Sequence, residues 1–342
     1  MINKRFSNNT FLGFWLLILT LMVYAIILIG GLTRLTESGL SMVDWRPLMG
    51  TIPPISFEDW NYLFDQYKKT PEFIILNKNM VLQEFKYIFW WEYSHRLFAR
   101  LIGIVFIIPF IYFLIKRSLT KKQIIQLIIV FIFAIIQAVV GWWMVKSGLT
   151  DDPYVSQYRL SFHLTNAIII LSILLWLTLE NFFPKQNNFK LDVSGILLMI
   201  ALFLCLLTII SGSFVSATDA GKSYNTFPLM DGKFVPEGYL IYENFFINFF
   251  ENTIAIQFNH RWLAIFSFIW TISIIFYIIN KEITFSQKIT CLIIFVLISL
   301  QILLGIFTLI YNVPLILASI HQANATLLLC SLLTSLYFFS NR

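Results

Sequence analysis

Eight runs of about twenty apolar residues decide what this chain can become. They fall near 11–32, 95–115, 123–145, 160–182, 193–215, 254–279, 288–311 and 315–339. A bilayer core is about 30 Å thick and a helix rises about 1.5 Å per residue, so each run can cross it as a helix. An all-α membrane protein of eight transmembrane helices follows. Composition agrees: 58% of the 342 residues are hydrophobic and 12% charged, against roughly a quarter charged in soluble domains. The first run, Phe11 to Gly31, is long enough to span and lacks a small-residue cleavage site. Neither a cleaved leader nor an Arg-rich transit peptide is expected, which points to a bacterial inner (cytoplasmic) membrane.

The basic residues report topology. Lys4 and Arg5, then Lys116, Arg117, Lys121 and Lys122, then Lys185 and Lys190, then Lys281 and Lys288, and finally Arg342 all fall on one face. That face, with both termini, is expected to be cytoplasmic. The net charge of +6 is therefore a topology signal and not a nucleic-acid footprint. Two longer connections, about 34–91 and 217–252, lie opposite. The first carries Arg34, Arg46, Lys68, Lys69, Lys78 and Lys86, but long connections largely escape the charge rule. Both are rich in turn and aromatic residues, as in Asp44-Trp45-Arg46-Pro47 and Phe227-Pro228-Leu229. Trp60, Trp90, Trp91, Trp142 and Trp143 are expected at the membrane interface. Cys205, Cys291 and Cys330 all lie in apolar runs, so no disulfide framework is expected.

The chain repeats itself. Gly30-Gly31-Leu32-Thr33-Arg34-Leu35-Thr36-Glu37-Ser38-Gly39 matches Gly212-Ser213-Phe214-Val215-Ser216-Ala217-Thr218-Asp219-Ala220-Gly221 in its Gly, Thr, acid and Gly positions. Glu92-Tyr93-Ser94-His95-Arg96 matches Gln257-Phe258-Asn259-His260-Arg261. Gln137 and Gly141 match Gln301 and Gly305, and His163-Leu164-Thr165-Asn166-Ala167 matches His321-Gln322-Ala323-Asn324-Ala325. Four matches in one order predict two pseudo-symmetric four-helix bundles, residues 1–190 and 191–342, related as a parallel repeat.

His95, His163, His260 and His321 are all the histidines in the chain. Each is expected near the outer-face start of an even-numbered span, two per half. An ionisable side chain in a membrane span is a functional candidate by default. Zinc would want three or four protein ligands and no cysteine joins either pair; copper would favour thiolate or thioether partners. A haem iron takes two axial ligands and suits the core of a four-helix bundle. Two bis-histidine haem sites are the expectation. Gly30, Gly31, Gly141, Gly212 and Gly305 would open slots for a flat macrocycle or simply pack helices closely. Arg96 and Arg261 match haem propionates in geometry, or anchor the interface.

Beside the first histidine the halves differ in chemistry. Glu92 lies three residues before His95, where the second half has Gln257. A carboxylate beside one haem and an amide beside the other suggests one reacting site and one relay. The competing role for Glu92 is an ion pair with Arg96 at i,i+4. Glu84 also precedes His95.

The stretch Glu84-Phe85-Lys86-Tyr87-Ile88-Phe89-Trp90-Trp91-Glu92-Tyr93-Ser94-His95-Arg96 resembles the signature of the haem A synthase (COX15/CtaA) family. Gly39-Leu40-Ser41-Met42-Val43-Asp44-Trp45-Arg46-Pro47 is similar to its proteobacterial and mitochondrial branch. The resemblance implies oxidation of the C8 methyl of haem O to a formyl group, giving haem A for cytochrome oxidase biogenesis. It also implies that His95 and His163 bracket the substrate haem, that His260 and His321 ligate a resident haem b, and that Glu92 is the catalytic residue, an acidic side chain essential to the reaction. The loop cysteine pair of some members is missing, which puts any thiol-dependent step in doubt. Expected partners are haem O and haem A, membrane lipid, the haem O synthase and an electron donor, with a homo-oligomer left open and no nucleic acid. A non-catalytic dihaem b-type electron carrier would use the same histidines without Glu92. A proton-relaying transporter would use them without haem.

Overall fold

A computed structural model describes residues 2–44, 49–150, 153–184 and 190–340, with side chains from Thr10 onward and without that of Met49. Trp45, Arg46, Pro47, Lys185 and Arg342 lie outside the described residues, as do the side chains of Lys4 and Arg5.

Among the described residues there is no strand beyond one isolated bridge between Met230 and Lys233, and eight helices are long and apolar enough to cross a membrane. They are α1 (Ile2–Leu35), α4 (Leu82–Ile115), α5 (Lys121–Ser147), α6 (Gln157–Phe182), α7 (Val193–Ala217), α9 (Thr253–Ile279), α10 (Phe285–Ile310) and α11 (Leu315–Phe339). Three shorter helices lie in the connections: α2 (Phe57–Tyr67), α3 (Pro71–Ile75) and α8 (Phe245–Glu251). The spans are apolar on their outer faces too. On α5, Ile125, Ile128, Ile132, Ile135 and Val139 form an exposed stripe at helical spacing, the surface lipid requires. Local caps start the helices. Thr120 accepts from Gln123 N–H at the start of α5, and Thr284 accepts from Gln287 N–H at the start of α10, each completing a capping box. The two caps stand at corresponding places in the repeat.

By packing density the chain divides into residues 18–171 and residues 1–17 with 172–342. Within the first unit, α1 meets α4 where Gly30 faces His95. There α4 also meets α5 through stacked Phe106 and Phe131, and α5 meets α6 through Gln137 and His163. In the second, α7 packs on α9 and α11, and α10 packs on both of those helices. The cysteines are free thiols within α7, α10 and α11.

The first long connection is more helical than its composition suggested. The helix carrying His95 begins at Leu82, so the expected start of that span moves outward by about three and a half turns. At 34 residues it is about 50 Å long, well beyond a bilayer core. Glu84 caps this helix: its carboxylate accepts from the Val81 N–H at 2.9 Å. The extra turns pack on α2 through a cluster of Trp60, Phe64, Tyr67, Phe85, Ile88, Phe89 and Tyr93. Trp60 therefore corrects its expected place. It is buried, with its ring 5.0 Å from Phe89 and 5.8 Å from Trp90, because the cap offers it more apolar contact than an interface would. Trp90, Trp142 and Trp143 remain exposed.

Beneath this cluster Asn77 donates to the Tyr67 hydroxyl at 2.8 Å, and that hydroxyl donates to the Glu72 carboxylate at 2.9 Å. Burial pushes the Glu72 carboxyl up to about 7, with the Glu92 and Glu37 charges adding to it and the Tyr67 hydrogen bond opposing it. A raised acid pKa means the folded cap keeps a proton that the unfolded chain has released. Cap stability should therefore fall by about 3 kcal/mol as pH rises from 4.5 to 7. Glu72→Gln should flatten that dependence in thermal melts followed by Trp60 fluorescence, and an unchanged slope would refute the assignment.

The second long connection carries the short helix α8 and is held by two buried amides. Asn248 accepts from the Ile241 and Tyr242 N–H groups, and Asn252 donates to the Gly238 and Tyr239 carbonyls. These bonds satisfy backbone groups that no ladder serves.

Candidate functional site

The repeat persists in the backbone. Glu37 and Asp219, its two acids, both adopt φ 52°. One residue earlier, Thr36 and Thr218 each donate a side-chain hydrogen bond at 2.8 Å to the carbonyl four residues before, Leu32 and Phe214. The same turn ends α1 and α7 and brings the connection back toward the helix bearing the first histidine of each half.

His163, His260 and His321 lie about two turns into α6, α9 and α11, and His95 lies deeper along its longer helix. His95 and His163 share the first unit, and His260 and His321 share the second. Each imidazole lies against a glycine of a neighbouring helix. A Cβ on Gly30 would come within 3.3 Å of His95, on Gly141 within 2.9 Å of His163, on Gly212 within 3.1 Å of His260, and on Gly305 within 3.0 Å of His321. Four of the slot glycines singled out by sequence, Gly30, Gly141, Gly212 and Gly305, thus each face one histidine. Any larger side chain would displace the ring.

The donor set suits a ligand that brings most of its own coordination. Among the described residues no three His, Cys, Asp or Glu side chains gather where a metal ion could bind. Two imidazoles per unit, flanked by small residues and apolar helices, fit the axial positions of a haem. Nδ1 of His163 and Nδ1 of His260 are buried without a hydrogen-bond partner, an arrangement that a structural histidine would avoid.

Glu92 is 2% exposed. One carboxylate oxygen accepts from the Ser41 hydroxyl at 2.7 Å and the Met42 N–H at 2.8 Å, and the other accepts from Arg96 at 2.5 Å. Arg96 also donates to the Met42 carbonyl at 3.1 Å. Gln257, equally buried, is its counterpart with the polarity reversed. Its amide nitrogen donates to the Gly221 and Tyr224 carbonyls at 3.1 and 3.0 Å, and its oxygen accepts from Arg261 at 3.2 Å. Arg261 donates further to the Thr226 and Tyr224 carbonyls, both at 2.7 Å. Hydrogen-bond donors of the connection surround the carboxylate, whereas acceptors surround the amide. The i,i+4 ion pair of Glu92 with Arg96 is present, and both arginines are engaged by their own chain.

Sequence reading paired Gln137 with Gln301 and Asn166 with Asn324 but assigned them no role. Gln137 Nε2 lies 3.2 Å from His163 Nε2, and Asn166 donates to Gln137 Oε1 at 2.6 Å. Gln301 Nε2 lies 3.2 Å from His321 Nδ1, and Asn324 donates to Gln301 Oε1 at 2.7 Å. Their recurrence in both halves was the available signal; the contact itself joins different helices.

Known proteins are similar to the chain over nearly its full length. A protein of Nitrosospira multiformis named "Heme A synthase" is 41% identical over 334 residues, covering 95% of this chain and 92% of the relative. A "Heme A synthase" of Maricaulis maris is 41% identical over 327 residues, with 94% of each chain covered. One from Wolbachia pipientis wMel is 41% identical over 330 residues, covering 95% of this chain and 90% of the relative. A family model described as COX15-CtaA, cytochrome oxidase assembly protein, matches residues 13–333. The chain therefore belongs to the COX15-CtaA family of cytochrome oxidase assembly proteins.

Proposed function

We propose that this chain is a haem A synthase of a bacterial inner membrane, oxidising the C8 methyl of haem O to the formyl group of haem A. The observation that carries the reading is the asymmetry between two otherwise matched sites: four histidines on four glycines, with a buried carboxylate beside only one pair. His95 and His163 hold the substrate porphyrin in an N-terminal half, residues 1–190. His260 and His321 hold a resident haem b in a C-terminal half, residues 191–342. Both termini face the cytoplasm, and the long connections face the opposite side.

Methyl to formyl is a four-electron oxidation. Two successive hydroxylations, each consuming one dioxygen with two electrons and two protons from the donor side and releasing one water, would give a geminal diol that loses water to leave the aldehyde. The resident haem, when bound, supplies one-electron transfer. The chain's own residues supply placement and charge. Gly30 and Gly141 leave room for the His95 and His163 rings, and so would set how those rings meet the porphyrin. Glu92, fixed by Ser41, Met42 and Arg96, would hold a carboxylate one turn from His95, where its ion pair with Arg96 leaves the first site without net charge and its oxygens preorganised near the reacting methyl. At the other site Gln257 contributes no charge to offset Arg261, and the remaining positive charge favours a haem that accepts electrons. The substrate comes from a haem O synthase, and an electron donor completes the cycle.

Extraction of porphyrins from the purified protein tests this reading. Mass measurement should find haem b together with haem O, haem A or a hydroxylated intermediate. Haem b alone would favour the electron carrier, and a preparation without a Soret band would exclude both.

A further inference from the structure

One histidine of each pair ends a chain of hydrogen bonds whose direction the fold dictates. In the first unit, Asn166 donates to the Phe133 carbonyl at 3.0 Å and to Gln137 Oε1 at 2.6 Å, and Gln137 Nε2 meets His163 Nε2 at 3.2 Å. In the second, Asn324 donates to the Leu297 carbonyl at 2.9 Å and to Gln301 Oε1 at 2.7 Å. Gln301 Nε2 there meets His321 at 3.2 Å from Nδ1 and 3.4 Å from Nε2. Both asparagines are buried.

A backbone carbonyl can only accept, so the asparagine must turn its NH2 toward it. That NH2 also meets the glutamine oxygen, which leaves the glutamine NH2 facing the imidazole. The ring nitrogen opposite an N–H donor must carry a lone pair, because a protonated one would set two donors against each other. For His163 the lone pair then sits on Nε2 and the proton on Nδ1, the nitrogen that has no other partner. His95 and His260 receive no such bond among the described residues, so each pair holds one guarded and one unguarded imidazole.

An imidazole gives iron a lone pair of this kind, and one lone pair cannot serve both an amide and a metal. We propose that Gln137, oriented by Asn166, is a positioning residue that takes over the His163 lone pair when porphyrin leaves. His163 is thereby the ligand of its pair whose release the chain compensates. Gln301 and Asn324 do the same for His321. The inference rests on the haem reading above, in which substrate must enter and product must leave between His95 and His163.

The test uses the full chain in lipid nanodiscs, with His321→Ala introduced so that haem titration reports the first site. Gln137→Met keeps the side-chain bulk and removes the N–H donors. It should bind ferric haem about fivefold more tightly, the weight of one neutral hydrogen bond lost from the haem-free state. Asn166→Leu should shift affinity the same way by less, because Gln137 stays but its amide can turn over; if Gln137→Met does not fold, this variant carries the test. Nitrogen-15 spectra of haem-free, histidine-labelled protein supply a readout that packing alone would not move. His163 should show one tautomer in the parent and a mixture in Gln137→Met. Unchanged or weaker haem affinity, or an unchanged His163 spectrum, would overturn the inference. Failure of the parent to bind haem would instead sink the haem reading, while the spectra would still judge the hydrogen-bond direction.

Discussion

Glu92→Gln should leave both porphyrin sites occupied and lower haem A formation by about a hundredfold to a thousandfold, the scale seen when one preorganised electrostatic group is lost. The chain already carries this substitution elsewhere, since Gln257 stands at the matching place and still accepts from the arginine four residues on. The surroundings are not equivalent, however. Ser41 and Met42 both donate toward Glu92, whereas Gly221 and Tyr224 both accept from Gln257. An amide at position 92 leaves one donor facing another donor, a local cost of about 1–3 kcal/mol. That cost is small enough for the protein to remain folded and haem-loaded. The measurement is porphyrin mass per purified protein. Loss of haem A with haem O retained is the expected result; haem A within about twofold of the parent would remove Glu92 from the chemistry.

Gly141→Ala should reduce porphyrin uptake at the first site by at least about tenfold, the range in which displaced ligand geometry weakens metal binding. The new Cβ would stand 2.9 Å from the Cε1 edge of His163, so the ring must move off its axis. Gly103→Ala is the matched control, because nothing lies within 4 Å of a Cβ there. In a helix interior that change should stabilise by about 0.8–1 kcal/mol and leave the Soret spectrum untouched. Haem titration of the two variants side by side decides the matter. Equal uptake by both would mean that the glycine contacts are ordinary helix packing.

Much of this architecture is legible in one dimension. A lipid core demands about twenty apolar residues in a row, so the eight spans read directly from the chain. A repeat keeps its order, so the paired histidines and the break at Glu92 against Gln257 emerge from alignment of one half with the other. Helix capping is local as well, and Thr120 with Gln123 and Thr284 with Gln287 mark the starts of α5 and α10.

Other features are set by residues far apart in the chain, and composition points the wrong way for some of them. Trp60 has the amphipathic chemistry of an interface anchor, yet it is buried because α2 folds onto the extended start of α4. Glu84 shares a stretch with Glu92, but three hydrogen-bonding partners converge on Glu92 while Glu84 only closes a helix end.

The sequence by itself determined the membrane class, the number of spans, the order of the matched segments and the contrast of Glu92 with Gln257. Each is a pattern along the chain that solvent preference or duplication writes into residue order. Only the tertiary structure decided which glycine faces which histidine, that donors ring Glu92 while acceptors ring Gln257, and that an asparagine and a glutamine hold one imidazole of each pair. Those are distances between different helices, and they arise when packing closes gaps that residue order leaves open.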